Sequence, residues 1–355
     1  MPASEPHDLV DWRTAVRIGS FVAGGGPRTT PEERDRIRRH LAVQTRRSDE
    51  LVRDFTGIDP SVAAPPPLVL GREGWIRANV ESLRTMIRPV TDKLSESVSS
   101  SGIARAVASA AIGTQIGILF GYLSQKVLGQ YDLMPGGDAG AGKLYFIGPN
   151  VVETERRFDV PPSDFRLWIA LHEVTHRTQF TGVPWLRERV RRYIERSLSM
   201  LELDPAHVRA LVDKSKEILL RGPSAWSAQS MMEILLTEPQ RALLHEVQAL
   251  MSVVEGHGMF VMNRVGERVI PNFDQMRDVM TARRQNVRGA EKVFQRAIGI
   301  DMKFEQYTLG ERFCVAVAEQ AGDDAVNKVW ERDGENLPTL DEMERPDTWL
   351  ARVGA

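Results

Sequence analysis

The stretch Trp168-Ile-Ala-Leu-His172-Glu173-Val-Thr-His176-Arg-Thr-Gln-Phe180 decides the fold and the chemistry of this chain. Apolar residues recur at helical spacing just before and within it, which predicts a helix that enters the core. Side chains four residues apart lie on one face of a helix, so His172 and His176 can bind one metal ion. Glu173 lies beside the first histidine and can reach a water molecule at the metal. This HExxH pattern predicts a zinc hydrolase, in which zinc lowers the pKa of water and Glu173 takes its proton.

A catalytic zinc site needs a third protein ligand and leaves a fourth position open to water. We favour Glu255, in the apolar segment 249–262, because a carboxylate is costly to bury unless it is paired or binds metal. His257 is the alternative third ligand, although a hydrogen-bonded core histidine explains it as well. These two residues do not share a face of a regular helix, because they are two positions apart. His245 is a candidate for a position next to the metal ligands, but we expect a core histidine whose ring is hydrogen-bonded. Three further downstream candidates are His207, Glu233 and Glu246.

The composition is that of an ordinary globular protein of 355 residues, with 42% hydrophobic residues and a net charge of −2. The chain as a whole is therefore not disordered and has no broad attraction to nucleic acid or an anionic membrane. The arginines in residues 187–192 alternate with Glu188 and precede Glu195, which predicts a solvated helix face and no nucleic-acid partner. A single cysteine, Cys314, excludes a disulfide framework, and we expect it to be a buried filler on a helix. The N-terminus lacks the apolar core of a signal peptide, so we expect a cytoplasmic protein.

The segment Ile103–Leu123 raises the question of a membrane span. It is long enough to cross a bilayer and carries small residues four apart at Gly113, Gly117 and Gly121. However, an arginine near one end, a glutamine at its middle and many alanines, serines and glycines keep its hydrophobicity low. We therefore expect a close-packed core helix and no membrane span.

Helical patterns dominate the chain, and they predict a mainly α fold with a small β-sheet, of the α+β class. The run Thr30-Pro31-Glu32-Glu33 predicts a helix start, with Thr30 as the capping residue. The proline-rich run at residues 59–67 predicts a domain boundary. We expect residues 1–66 to form a helical segment that packs on the core, and residues 67–355 to form the main domain.

One strand is evident in the sequence, at Lys143–Gly148. Exposed edge strands near the metal of zinc peptidases pair with extended substrates, so residues 144–148 are a candidate substrate-binding strand. The preceding residues 137–143 match the nucleotide-binding pattern GxxxxGK. Leu144 stands where such a loop needs Ser or Thr for magnesium, so we expect a flexible loop and no nucleotide.

Four segments carry a resemblance to a known family, namely LYFIGPNVV (144–152), LHEVTHRTQF (171–180), MSVVEGHGMFVMN (251–263, the EGH segment) and MKFEQYTLGERFCVAVAEQAG (302–322). Together they resemble the zincin-like metallopeptidase family of unknown function, over nearly the whole chain as far as Trp349. The resemblance implies a mostly α-helical zincin-like fold with one metal ion, held by His172, His176 and a residue of the EGH segment, with Glu173 as the base. One branch of the family is associated with the biosynthesis of a deazaflavin coenzyme, but this chain carries no flavin or dinucleotide fingerprint.

The same resemblance draws attention to Tyr307. In zinc hydrolases a tyrosine or histidine near the metal often donates a hydrogen bond to the developing oxyanion, so Tyr307 and His257 are candidates for that role. The simpler interpretation of Tyr307 is a packing residue on an amphipathic helix.

The sequence thus favours a zinc-dependent hydrolase, most simply a metallopeptidase, with zinc held by His172, His176 and Glu255. Two alternatives stay open. One is a zinc amidase that acts on a small metabolite, with the same residues in a closed pocket. The other is a non-catalytic zincin-fold scaffold, against which Glu173 argues, because a scaffold has no need of an acid beside two ligands. The expected cofactor is Zn²⁺, and the expected partner is a peptide or amide substrate.

Overall fold

The computed structural model describes residues 9–97, 102–132, 142–200, 237–285 and 300–354. Contacts divide the chain into two compact units, and each unit is formed from two separate stretches of sequence. The first unit comprises Met1–Gly182 and Val261–Arg283, and the second comprises Val183–Phe260 and Arg284–Ala355.

The first unit is built mainly from helices. They are α1 (Trp12–Ala23), α2 (Pro31–Thr56), α3 (Arg72–Ser97), α4 (Gly102–Leu123), α5 (Gly148–Phe158) and α6 (Pro162–Gly182). Helix α2 begins as predicted, because the Thr30 side chain accepts a hydrogen bond from the backbone N–H of Glu33. Helices α1 and α2 both belong to this unit, and the division into residues 1–66 and 67–355 stays a prediction.

A three-stranded sheet completes the first unit. Its strands are β1 (Leu68–Leu70), β2 (Gly129–Asp132) and β3 (Lys143–Ile147), in the order β1-β3-β2. The predicted strand is confirmed as β3, but its predicted role as an exposed substrate-binding edge is wrong. It pairs in parallel with β1 on one side and antiparallel with β2 on the other, so neither side is open to a substrate. Within the described residues, β1 and β2 form the edges.

Helix α6 is buried along most of its length, and paired charges on neighbouring helices make this burial tolerable. Helix α2 packs along it. Arg166 near its start forms an ion pair of 2.7 Å with Glu155 of α5, and both side chains are 8% exposed. Arg177 near its end pairs with Asp49 of α2. Because a buried charge is costly without its partner, these pairs fix α6 relative to α2 and α5.

Helix α4 packs on α1 through three glycines. A Cβ atom added at Gly113, Gly117 or Gly121 would lie 2.3 to 2.6 Å from atoms of α1 or its capping residue Asp11. By length and composition alone the helix could cross a membrane, with a mean hydropathy of 1.5 over Arg105–Leu123. Only 17% of that window is buried, so the expectation of a core helix is wrong. Hydropathy indicates which environments a helix tolerates and not how much of the helix is buried. Here α1 covers only part of the surface of α4.

The chain continues through α7 and a long helix, α8, that begins in the second unit and ends in the first. On α7, Arg191 forms ion pairs with Glu188 and Glu195, which confirms the predicted solvated face. The remaining helices are α7 (Pro184–Ser199), α8 (Glu238–Val269), α9 (Phe273–Gln285), α10 (Ile300–Ala321), α11 (Asp323–Val326), α12 (Leu340–Glu344) and α13 (Pro346–Val353), with 3-10 turns at Asn327–Trp330 and Arg332–Gly334.

The core of the second unit is aromatic. The indole N–H of Trp185 donates a hydrogen bond of 2.9 Å to the backbone oxygen of Trp330. Phe313 of α10 packs edge-on against Trp349, with 5.2 Å between ring centroids. Cys314 is buried beside Phe313, as predicted, and burial raises the pKa of its thiol.

Helices α8 and α10 cross at two glycines. A Cβ atom at Gly310 would lie 1.8 Å from the backbone oxygen of Ser252, and one at Gly256 would lie 2.5 Å from the Cα atom of Gly310. No larger residue fits at either position without moving a backbone. The crossing therefore fixes the part of α8 that carries Glu255.

Gly310→Ala is expected to lower the free energy of unfolding by about 1–3 kcal/mol, although alanine favours a helix over glycine. The added methyl group forces α10 away from Ser252. Thermal unfolding followed by circular dichroism measures the loss. Gly71→Ala is the matched control, because an added Cβ atom there meets nothing within 4 Å. Wild-type stability of Gly310→Ala would contradict the close crossing.

Candidate metal centre

Two histidines of α6 direct ring nitrogens at one place. His172 and His176 are one helical turn apart, and their Nε2 atoms are separated by 3.1 Å. Two nitrogens that bind one tetrahedral zinc ion, at about 2.0–2.1 Å each, are about 3.3 Å apart. The pair therefore has the separation that a single zinc ion requires.

Gln179, which is not part of the HExxH pattern, orients the ring of His176. Its Oε1 atom lies 3.0 Å from Nδ1 of His176. An amide oxygen only accepts hydrogen bonds, so Nδ1 carries the proton and the Nε2 lone pair is directed toward the metal position. The signal in the sequence is a polar amide three residues after the second histidine of the motif.

Glu173 lies against the edge strand β2. Its side chain is only 7% exposed. A Cβ atom at Gly129 of β2 would lie 2.5 Å from Cγ of Glu173 and 2.7 Å from its Oε1 atom. Glycine at position 129 thus leaves the space that the carboxylate occupies. No local sequence pattern marks Gly129, because only the folded chain brings it next to the motif.

Strand β2 is held on both of its faces. Gly129 and Tyr131 face α6, where Tyr131 stacks on Phe180 with 6.0 Å between ring centroids. Gln130 points to the opposite face and accepts a hydrogen bond from the indole N–H of Trp75 on α3. This alternation follows from the pleat of a strand. The backbone that borders Glu173 is therefore fixed from two sides.

A protonated tyrosine supports the sheet on the face away from Glu173. Tyr145 of β3 is the direct partner of Gln130, so both side chains lie on that face. Burial, with a smaller contribution from Asp132, raises the pKa of Tyr145 to about 12. Asp132 also accepts a hydrogen bond of 3.1 Å from Ser82. Tyr145 is thus a structural residue and does not face the histidine pair.

Glu255 of α8 belongs with the two histidines to a group of residues that could hold a metal ion. One ligand atom from each of His172, His176 and Glu255 lies within 4.8 Å of the other two. Two imidazoles and one carboxylate are the donors of a common type of catalytic zinc site, so the chemistry of the set fits zinc. The role of each residue stays a prediction.

His257, the alternative third ligand, lies in the core of the second unit and is 1% exposed. Its Nε2 atom is 3.1 Å from Oδ1 of Asn327. Its ring packs edge-on against Trp330, with 5.2 Å between centroids. These contacts are those of a hydrogen-bonded core histidine, which is the second interpretation that the sequence allowed.

Two other candidates lie on the surface of the second unit. His245 is exposed and borders an open cavity with Arg189 and Tyr193, so the expectation of a core histidine is wrong. Its helix turns that position outward. Glu246 forms an ion pair of 2.9 Å with Arg196. Three further candidates lie outside what the structure describes, namely the side chain of Tyr307 and the whole of His207 and Glu233.

Comparison with known proteins gives matches over almost the whole chain. The family profile described as zincin-like metallopeptidase matches residues 10–350. A solved structure from Chloroflexus aurantiacus, described as "a putative hydrolase with a novel fold", is 30% identical to this chain with a TM-score of 0.71. That comparison covers 97% of this chain and 99% of the other. No curated protein matches the chain.

Zinc binding is expected to require both histidines of α6. The purified protein should hold about one zinc ion per chain by plasma mass spectrometry, and His172→Ala/His176→Ala should hold none. His245→Ala removes an exposed histidine and is expected to retain zinc. If the double variant kept its zinc, the ion would lie elsewhere.

Gln179→Leu is expected to weaken zinc affinity by about 10–100-fold, because the ring of His176 loses the acceptor that fixes its orientation. Competition with a chromogenic chelator measures the affinity. Gln179→Glu restores an acceptor at the same position and is expected to recover most of the affinity. Unchanged affinity in Gln179→Leu would show that Gln179 does not orient the ligand.

Proposed function

Because this chain belongs to the zincin-like metallopeptidase family, we propose that it is a zinc-dependent hydrolase of amide bonds, most simply those of peptides. The observation that carries the proposal is the convergent pair His172 and His176 with the buried acid Glu173 between them in sequence. Zinc held by these histidines and Glu255 would lower the pKa of a water molecule and polarise the carbonyl group that is attacked.

Glu173 is the proposed general base. It follows the first ligand directly and is not itself a member of the His/His/Glu set. Its carboxylate takes one proton from the attacking water and delivers it to the departing amine nitrogen, so the products are a carboxylic acid and an amine. Gly129 confines this carboxylate, which holds the acceptor oxygen in one orientation.

The edge strand β2 supports a peptide as the substrate. It borders Glu173 at Gly129, and within the described residues its outer side carries no further strand. Extended peptides bind such edges through backbone hydrogen bonds. The substrate-binding strand that we propose is therefore β2, and β3 serves as its support.

A cytoplasmic location is proposed together with this activity. The free thiol of Cys314 is buried in α10, and the chain has no second cysteine. A chain without disulfides suits a reducing compartment.

Glu173→Gln is the variant that tests the proposal. A peptide library incubated with the zinc-loaded protein should yield free amines, and Glu173→Gln should cleave about 10²–10⁴-fold more slowly while it retains zinc. Gly129→Ala is expected to lower kcat at unchanged zinc content, because its methyl group displaces the carboxylate. Gly71→Ala serves as the control for both variants and is expected to cleave peptides like the wild type, because an added Cβ atom there meets nothing within 4 Å.

Equal cleavage by wild type and Glu173→Gln would contradict the role of Glu173. If the zinc-loaded wild type cleaved only small N-acyl amides and no peptide, the protein would be a metabolite amidase. If it cleaved neither class, the scaffold alternative would stand.

A further inference from the structure

The exposed side of α4 is apolar. Val107 is 66% exposed, Ile112 is 40% exposed and Ile118 is 41% exposed. Exposed residues recur at helical spacing, so they form one face along the helix. Its members are Val107, Ala108, Ala111, Ile112, Gln115 and Ile118. We call this surface the α4 face.

Helix α1, which packs beside α4, exposes a large aromatic residue. Phe21 is 84% exposed and is the most exposed of the large hydrophobic residues that the structure describes. Arg13 and Arg17 precede it at intervals of four residues, so all three share one side of α1. Both helices pack on the same core cluster, and each exposes side chains on its outer side, apolar ones on α4 and an aromatic and cationic ones on α1.

The charge of these two elements differs from that of the whole chain. Residues 12–30 and 102–131 contain no aspartate or glutamate, whereas the chain has 48 acidic and 46 basic residues. The two segments that carry the α4 face and Phe21 therefore have a net positive charge. The basic residues of the two segments are Arg13, Arg17, Arg28, Arg105 and Lys126.

We propose that the α4 face, with Phe21 and the arginines of α1, binds the surface of an anionic lipid membrane. The apolar side chains enter the boundary between headgroups and acyl chains, and the cations contact lipid phosphates. A second copy of this chain fits the surface less well, because it would bring the same positive charges against each other. The proposal is independent of the metal centre.

The packing of α4 places it in the plane of the membrane and not across it. Gly113, Gly117 and Gly121 hold the helix against α1, and Ile116 and Phe120 pack on the core of the first unit. A transmembrane α4 would carry α1 and its arginines into the hydrocarbon, which is costly. Surface binding is thus compatible with the expectation of no membrane span.

Vesicle co-sedimentation of the full-length protein tests the proposal. We expect binding to vesicles of phosphatidylcholine with phosphatidylglycerol, little binding to phosphatidylcholine alone, and loss of binding at high salt. Arg13→Gln/Arg17→Gln should weaken binding roughly thirtyfold. Phe21→Gln/Ile112→Gln/Ile118→Gln should weaken it by at least about tenfold.

Val43→Gln is the matched control, because Val43 lies on α2 and is 48% exposed. It should bind vesicles like the wild type, and thermal unfolding should show that every variant is folded. The proposal is overturned if the wild type does not bind anionic vesicles, or if the triple variant binds them equally well. Self-association in sedimentation velocity that the triple variant abolishes, without vesicle binding, would assign the surface to a second copy.

Discussion

The buried setting of α6 is the constraint on which the rest of the site depends. Two imidazoles four residues apart stay within 3.1 Å of each other only while the helix between them keeps its geometry. The Arg166–Glu155 and Arg177–Asp49 pairs secure this helix near both ends. Arg166 and Glu155 are both 8% exposed, and removing one partner of such a buried pair costs about 3–5 kcal/mol, so the histidine pair rests on a segment that resists distortion.

Close contacts at glycine bring neighbouring elements together within each unit. Gly129 lets β2 approach the Glu173 carboxylate, and Gly256 with Gly310 lets α10 cross α8 beside Glu255. The glycines of α4 do the same against α1. In each case a single added methyl group would displace a neighbouring backbone or, at Gly129, the Glu173 side chain. The candidate site therefore depends on positions that lack a side chain, such as Gly129, as well as on its histidines and acids.

Local signals explain what the sequence predicted correctly. The start of α2, strand β3 and the convergence of His172 and His176 each depend on residues within one or two turns of each other. Glu255 was favoured from the chemistry of a carboxylate in an apolar helix; a ligand atom of it lies within 4.8 Å of both histidines, and its role as a ligand stays a prediction. The predominantly helical fold with a small sheet follows from the same periodicity.

What the sequence did not predict depends on pairing between distant segments. Strand β2 is short and polar, and it is a strand because it pairs with β3. The order of strands put β3 in the middle of the sheet, which no local pattern indicates. The exposure of α4 and the contact between Gly129 and Glu173 are likewise set by what packs nearby.

X-ray absorption spectroscopy at the zinc edge of the zinc-loaded protein tests the central claim most directly, because it counts imidazole ligands. The account predicts two imidazole nitrogens and at least one oxygen at about 2.0–2.1 Å. The imidazole count should stay at two in His257→Ala. Three imidazoles in the wild type that fall to two in His257→Ala would contradict the account and make His257 the third ligand in place of Glu255.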